Sequence, residues 1–87
     1  MFEVFIHKKF AKKLKEIEKP FLERIANFLD TLKEEPVPWR KFDIKKIEGE
    51  KNTYRVRIGK YRLIYFVDKN NKMIHILKIE TREKVYK

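Results

Sequence analysis

Residues 54–67 constrain the fold more than any other stretch, because their side chains alternate in character with a period of two. One set of positions is apolar or aromatic, namely Tyr54, Val56 and Ile58. The positions between them hold Arg55 and Arg57. Alternation of this kind, rich in β-branched and aromatic residues, is typical of a half-buried strand. The segment therefore predicts sheet strands with one apolar face and one basic face.

Gly59 and Lys60 lie between the two halves of this segment and predict a two-residue turn. Glycine at the first central position suits a type II′ turn, which requires a positive φ there. Such a turn sets the register, so that Arg57 lies opposite Arg62. Directly opposed residues project to the same side of a sheet. We therefore expect Arg55, Arg57 and Arg62 to share one surface.

The basic surface of this hairpin has no acidic residue nearby in sequence. Between positions 51 and 62 the cations are Lys51, Arg55, Arg57, Lys60 and Arg62, and this interval contains no acidic residue. Like charges directly opposite in a sheet are destabilising, so their presence favours a role in binding an anion. The alternative interpretation is a solvated basic edge that discourages aggregation.

The whole chain has the same bias, with 23 Lys+Arg against 13 Asp+Glu and a formal net charge of +10 over 87 residues. The positive electrostatic field of such a chain attracts nucleic acid, acidic membranes or an acidic protein partner. No apolar run approaches the ~20 residues that a membrane-spanning helix needs. Residues 1–7 do not have the charged, apolar and cleavage regions of a signal peptide, so we expect a cytoplasmic protein. Without cysteine, and with two histidines, the sequence predicts no metal site and no cofactor.

The remaining patterns give the order of the elements. Apolar residues recur at helical spacing over 8–19, and Pro20 separates that helix from a second one reaching residue 34 or 35. A basic connection over 40–52 contains a candidate short strand at 43–47. The predicted strands are residues 2–6, the two arms of the hairpin, and residues 73–79.

This order, β-α-α-β-β-β, predicts a single α+β domain over residues 1–87. We expect an antiparallel sheet with an N-terminal helical hairpin packed on one face. The helices can cover only one face, which leaves the arginine face open. Ile64 and Phe66 alternate onto that open face, and exposed apolar groups beside charges indicate a docking site for another chain.

Two other residues draw attention because of their chemistry. Trp39 follows Pro-Val-Pro, a position more typical of a plug over the core than of a base-stacking residue. His75 is flanked by isoleucines within a strand, and this is more typical of a structural histidine than of a catalyst. We therefore assign neither residue a functional role from the sequence.

The chain resembles the RelE/ParE toxin superfamily, and within it the archaeal members of the RelE branch. The resemblance covers nearly the whole chain. It is carried by the β-α-α start, the Pro36-Val37-Pro38-Trp39 linker, the segment Lys46-Ile47-Glu48-Gly49, the core from Tyr54 to Tyr65, and the ending Arg82-Glu83-Lys84-Val85-Tyr86. The ParE branch shares the scaffold and inhibits DNA gyrase without cutting RNA. The ending of this chain, with a basic residue shortly before a C-terminal tyrosine, is similar to the catalytic end of RelE, and ParE-like members typically lack that combination.

The resemblance implies the toxin of a type II toxin-antitoxin system. Such a toxin is a ribosome-dependent, metal-independent endoribonuclease that cleaves mRNA in the A site and inhibits translation. The resemblance also implies a RelB-type antitoxin as partner. The positive charge of this chain predicts that the antitoxin is acidic and partly disordered, and that it docks on the surface of this chain that carries Ile64 and Phe66. Arg62 and Arg82 match the family's phosphate-stabilising arginines, and Tyr86 matches the tyrosine that orients the nucleophile.

Arg55 and Arg57 match catalytic positions that are lysines in bacterial relatives. Arginine is effectively never deprotonated, so this departure leaves the general base unassigned and predicts a weaker or differently organised activity. The remaining candidates for contacts with RNA or the ribosome are Lys46, Lys51, Lys60 and Lys84. Two other functions stay open: a ParE-like gyrase inhibitor, and a non-catalytic basic module that binds RNA or the ribosome.

Overall fold

The computed structural model describes residues 1–81, which form two helices and one five-stranded sheet. A single turn of 3₁₀ helix at Lys8–Phe10 precedes the first α-helix. The elements are β1 (Glu3–Ile6), α1 (Ala11–Lys15), α2 (Lys19–Leu32), β2 (Asp43–Lys46), β3 (Thr53–Ile58), β4 (Tyr61–Asp68) and β5 (Met73–Thr81). The predicted α+β class and the short strand in the connection are therefore confirmed, and this strand extends the predicted order β-α-α-β-β-β by one strand.

The sheet has the order β1-β5-β4-β3-β2 and is mixed rather than wholly antiparallel. Strands β2 to β5 form an antiparallel meander, while β1 pairs with β5 in parallel. The prediction of an antiparallel sheet is wrong for this one pair. After β1 the two helices carry the chain to the far edge of the sheet, and the meander returns β5 to β1 in the same direction. This pairing depends on the whole path of the chain, so local alternation could not reveal it.

The first helix is shorter than its periodicity predicts. Its α-helical part ends at Lys15, and the chain turns at Glu16 so that Ile17 enters the core with 6% of its surface exposed. The second helix begins at Lys19, with Pro20 in the first turn, where a missing N–H costs nothing. It ends at Leu32, two or three residues before the predicted end.

The β3–β4 hairpin has the predicted turn and register. Gly59 has a φ of 60°, and Lys60 is not among the residues with a positive φ, as a type II′ turn requires. Ile58 lies opposite Tyr61, and Arg57 lies opposite Arg62. The ring of Phe21, on α2, lies against Gly59 so closely that a Cβ atom there would collide with it. Glycine is therefore required for two reasons, its φ and this contact.

The core lies between the helices and one face of the sheet. Phe28 of α2 packs edge-to-face on Tyr65, whose hydroxyl donates a hydrogen bond of 3.0 Å to the carbonyl oxygen of Pro36. The predicted core positions of the hairpin are buried, except that Tyr54 is half-buried. The buried apolar residues are Phe10, Ile17, Ile25, Phe28, Leu32, Val56, Ile58, Tyr61, Leu63, Tyr65, Val67, Ile74, Ile76 and Ile79. The other side of the sheet, called the open face below, carries the side chains of Arg55, Arg57 and Arg62 and of the residues opposite them.

Candidate functional site

Three arginines meet on the open face because the hairpin register places them there. Arg57 of β3 lies directly opposite Arg62 of β4, and Arg55 lies opposite Ile64. Arg57 is exposed, whereas Arg55 and Arg62 are half-buried. The shared surface predicted from the alternation is therefore confirmed. Its cations are close enough together to contact one phosphate group and its neighbours on a nucleic acid strand.

An acidic residue that the hairpin sequence does not contain reaches this surface from the next strand. Asp43 of β2 lies opposite Arg57, and its Oδ2 is 3.0 Å from Arg57 Nη2. Both side chains are nearly half exposed, so this ion pair contributes at most about 1 kcal/mol. Sequence reasoning missed Asp43 because the acid lies 14 positions before its arginine partner. The short strand at 43–47 was the signal that could have revealed it.

Arg62 has the most unusual environment of the three arginines. Its Nε atom is buried and has no hydrogen-bond partner within residues 1–81. Glu80 lies opposite Arg62 on β5, but its Oε2 is 3.3 Å from Lys78 Nζ instead. A buried donor without a partner is costly and unusual in a folded protein. The Arg62 side chain is thus half-buried on the open face, with one buried N–H to which residues 1–81 offer no acceptor.

Two of the predicted lysines, Lys60 and Lys46, lie away from the arginine surface. Lys60 turns toward the helices, where its Nζ is 2.8 Å from Glu18 Oε1 and 5.8 Å from the ring centre of Tyr61. Lys46 lies opposite Tyr54 and so shares the helix side of the sheet. Lys45 lies opposite Arg55 on the open face and was missed. The period of two within β2 would have distinguished Lys45 from Lys46.

The open face also has an apolar part, at the end of the sheet away from Arg57. Ile64 and Phe66 lie there as predicted, and both are half-buried. His75 of β5 lies opposite Phe66 and beside Phe5 of β1. The His75 ring is 6.3 Å from that of Phe66 and 5.8 Å from that of Phe5, which is 49% exposed. A strip of aromatic rings therefore continues the arginine surface.

The predicted residues Arg82, Lys84 and Tyr86 lie outside the described residues. The catalytic roles of Arg82 and Tyr86 and the RNA contact of Lys84 therefore stay predictions. Within residues 1–81, no group of three or more His, Cys, Asp or Glu side chains is placed to hold a metal ion. In the same part of the chain, neither helix has the length and apolar character to cross a membrane.

This arrangement is suited to binding an extended polyanion with exposed bases. The arginines can bind phosphate groups, and planar guanidinium groups do so with two parallel hydrogen bonds. The neighbouring aromatic rings provide flat surfaces of the kind on which unpaired bases stack. A small α+β domain with a basic and aromatic open sheet face is thus a candidate RNA-binding protein.

Comparisons with known proteins show the family. The family model described as ParE toxin of type II toxin-antitoxin system, parDE, matches residues 4–86. A relative from Methanocaldococcus jannaschii that carries the name RelE1 is 44% identical over 86 residues, covering 99% of this chain and 96% of the relative. The chain belongs to the RelE/ParE family of toxins from type II toxin-antitoxin systems.

Solved structures agree with this assignment. The toxin chain in the crystal structure of an archaeal RelE–RelB complex from Pyrococcus horikoshii matches with a TM-score of 0.85 and 43% identity, covering 93% of this chain and 94% of that one. A RelB–RelE antitoxin–toxin complex from Methanococcus jannaschii matches with a TM-score of 0.79 and 29% identity, covering 94% of each chain. The predicted resemblance to archaeal RelE proteins is confirmed.

Proposed function

We propose that this toxin is a ribosome-dependent, metal-independent endoribonuclease that cleaves mRNA in the A site. The observation that carries the proposal is the cross-strand pair of Arg57 and Arg62, with Arg55 beside it, on a sheet face that the helices leave open. Metal-free RNA cleavage places growing negative charge on the phosphorane as the 2′-hydroxyl attacks. Cations held in fixed positions are the groups that stabilise such charge.

Arg62 is the residue best placed for this role among residues 1–81. Arg62 is only half-buried and lies on the open face directly opposite Arg57, so one of its terminal N–H groups can donate to a phosphate oxygen. A second N–H of the same guanidinium can bind the neighbouring oxygen, giving the paired geometry that lysine cannot provide. The family resemblance adds Arg82 as a second phosphate-binding arginine and Tyr86 as the group that orients the 2′-hydroxyl.

The chemistry of the arginines on the open face supports a requirement for a ribosome. Arg55 and Arg57 cannot act as general bases, because arginine stays protonated. A ribosome that holds mRNA in an attack-ready geometry supplies positioning, which contributes several kcal/mol to lowering a barrier. We therefore expect free RNA to be a poor substrate, and we place the activity in the cytoplasm with translating ribosomes.

The partner that restrains the toxin is proposed to be a RelB-type antitoxin, acidic and partly disordered. The matched structures from Pyrococcus horikoshii and Methanococcus jannaschii are complexes of RelE with RelB. The net charge of +10 favours an acidic partner, and Ile64 and Phe66 offer it apolar contacts on the open face. An antitoxin segment on that face would cover the arginines and block RNA.

Primer extension on an mRNA translated in a cell-free system tests the proposed activity. The wild-type protein is compared with Arg62→Ala and Arg62→Lys, with Arg24→Ala as the control because Arg24 is an exposed arginine on α2. We expect new 5′ ends at A-site codons, persisting in a chelator and absent on naked RNA. Both Arg62 variants should lose about 100-fold or more in cleavage rate, while the Arg24 variant keeps it.

Intact mRNA in every reaction would overturn the nuclease proposal. The second candidate would then be inhibition of DNA gyrase, because the matched family model carries the name of ParE toxin. A supercoiling assay distinguishes the two. A gyrase inhibitor blocks supercoiling and leaves mRNA whole, whereas the proposed nuclease cuts mRNA and leaves supercoiling unchanged. Binding of RNA or ribosomes with neither effect would indicate a non-catalytic basic module.

A further inference from the structure

A cavity of about 430 Å³ lies at the end of the sheet, between the loop before β3 and the turn after β4. Phe66 forms part of its wall and belongs to the open face, so the cavity adjoins the arginine surface. No residue of the cavity belongs to the catalytic set described above. Its lining consists of Lys51, Asn52, Phe66, Val67, Asp68, Lys69 and Asn70.

The polar lining has the donors and acceptors that a nucleotide requires. Lys51 and Lys69 are cations for phosphate, and Asn52 and Asn70 carry amides of the kind that bind base edges. Hydrogen bonds from the side chain and then the backbone N–H of Asn71 lower the pKa of Asp68, so its carboxylate is ionised and accepts hydrogen bonds.

The backbone at this cavity is held in a defined conformation. Asn52 has a φ of 52°, in the left-handed region that asparagine tolerates better than most residues. Its carbonyl oxygen accepts a hydrogen bond of 2.9 Å from the N–H of Val67, which ties the loop to β4. The loop and the strand therefore present their side chains to the cavity from a fixed frame.

Phe66 supplies the flat surface that a base requires. Its ring lies at 30° to the ring of His75, with 6.3 Å between their centres, so the two form a stacked aromatic pair on the open face. Aromatic residues on an open sheet are a common platform for unpaired RNA bases. Each stacked base contributes about 1–3 kcal/mol to binding.

The separation between Phe66 and Arg62 indicates that the two residues would contact different nucleotides of one strand. The two residues are four positions apart on β4, which corresponds to about 13 Å along a strand. This length is several times the ~3.4 Å rise per nucleotide of a stacked strand. A base at Phe66 is therefore a flanking base, away from the phosphate held at Arg62.

We propose that this cavity is a subsite for a flanking nucleotide of single-stranded RNA. Phe66 stacks on the base, Lys51 and Lys69 bind the adjoining phosphates, and the amides of Asn52 and Asn70 contact the base edge. The subsite rests on the proposed function, since it extends the RNA strand bound by the arginines. It adds a source of sequence preference that the arginines, which contact phosphate, do not provide.

The test is fluorescence anisotropy with a labelled single-stranded RNA hexamer and a series of hexamers that each lack one base. The proteins are the wild type, Phe66→Ala, Phe66→Leu and Phe66→Tyr, with Trp39→Ala as control because Trp39 is 63% exposed elsewhere on the protein. Phe66→Ala and Phe66→Leu should bind about fivefold more weakly or worse. Phe66→Tyr and Trp39→Ala should stay within about twofold of the wild type.

The base-deleted hexamers separate stacking from charge. In the wild type, removing one particular base should weaken binding about fivefold, and in Phe66→Leu the same removal should have no effect. Circular dichroism and thermal unfolding show whether each variant is folded, and Phe66→Leu keeps the apolar bulk if Phe66→Ala does not fold.

Two results would overturn the subsite. These are equal binding of RNA by Phe66→Leu and the wild type, or an equal loss of affinity from base removal in both proteins. The assay contains no ribosome, so its outcome is independent of mRNA cleavage. If the wild type does not cleave mRNA but its RNA binding depends on Phe66, the nuclease proposal is rejected and the subsite is kept. If the wild type cleaves mRNA but its RNA binding does not depend on Phe66, the subsite is rejected and the nuclease proposal is kept.

Discussion

Arg57 and Arg62 lie directly opposite each other across the hairpin, and a single acid, Asp43, pairs with Arg57 at 3.0 Å. Opposed like charges destabilise a sheet by roughly 0.2–1 kcal/mol, and within residues 1–81 no ion pair compensates Arg62. A surface that served stability alone would not have this arrangement. This arrangement supports a role for Arg62 in binding an anionic ligand.

Removing the Arg62 charge should therefore stabilise the protein. Arg62→Gln relieves the repulsion from Arg57 and is expected to raise the free energy of unfolding by about 0.2–1 kcal/mol, measured by urea denaturation. Arg24→Gln on α2 is the control and should change it by less than about 0.5 kcal/mol. A marked loss of stability in Arg62→Gln alone would show that its guanidinium is structurally required.

Removing the acid should strengthen RNA binding. Asp43→Asn releases Arg57, so the dependence of affinity on salt should steepen by about 0.7 in a log–log plot, the value for one added phosphate contact to a single strand. Asp30→Asn is a matched control, because Asp30 is an exposed acid paired with Lys33 at 3.3 Å on α2. Equal slopes for the two variants would indicate that only net charge matters.

The β3–β4 hairpin is the part of the fold that the sequence predicts best. Its alternation and its Gly59-Lys60 turn are local signals, and together they determine which residues lie opposite each other. The arginine surface follows from that register without further information. The same signals correctly place Ile64 and Phe66 on the open face.

The features that the sequence does not predict depend on contacts between distant segments. The pairing of β1 with β5 and the approach of Asp43 to Arg57 both require the complete sheet. Trp39 was expected to plug the core, yet it is 63% exposed and lies under the guanidinium of Arg40 at 5.0 Å. Its position depends on how the linker leaves α2, which the composition of the linker does not fix.

Gly59 should be more sensitive to substitution than Gly49. Both have a positive φ, so an alanine at either position costs about 1–2 kcal/mol in backbone strain. Only Gly59 also lies against Phe21, whereas a Cβ at Gly49 would meet nothing within 4 Å. Urea denaturation should show an additional cost of about 1–3 kcal/mol for Gly59→Ala.

A Phe21→Ala background provides the check on this explanation. The additional cost at Gly59 should then disappear, because the colliding ring has been removed. If the difference between the two glycines persists without Phe21, the turn itself and not the helix contact is responsible.

Tyr65 should make the fold sensitive to alkaline pH. Burial, and to a lesser degree the neighbouring Tyr54, raises the pKa of Tyr65 well above its ordinary value. A raised pKa in the folded state means that its stabilising effect is complete below about pH 10, where tyrosine is neutral in both states. Above that pH the unfolded chain ionises first, so stability falls.

Comparison with Tyr65→Phe isolates this effect from the other titrating groups. At neutral pH the variant should be about 1 kcal/mol less stable, because the hydrogen bond to Pro36 is lost. Above pH 10 the wild type should lose its advantage by about 1.4 kcal/mol per pH unit. A constant difference between the two proteins from pH 7 to pH 11 would contradict the assignment to Tyr65.

The parallel pairing of β1 with β5 has a consequence for how the protein is made. Glu3 of β1 lies beside Met73 of β5. Strand β1 is synthesised first, yet it has no hydrogen-bonded neighbour in the sheet until β5 has been synthesised. Strand β4 also depends on β5 for one of its two ladders. A nascent chain interrupted before β5 can still pair β2, β3 and β4, which carry the arginine surface, but β1 and one edge of β4 then lack their partner strand.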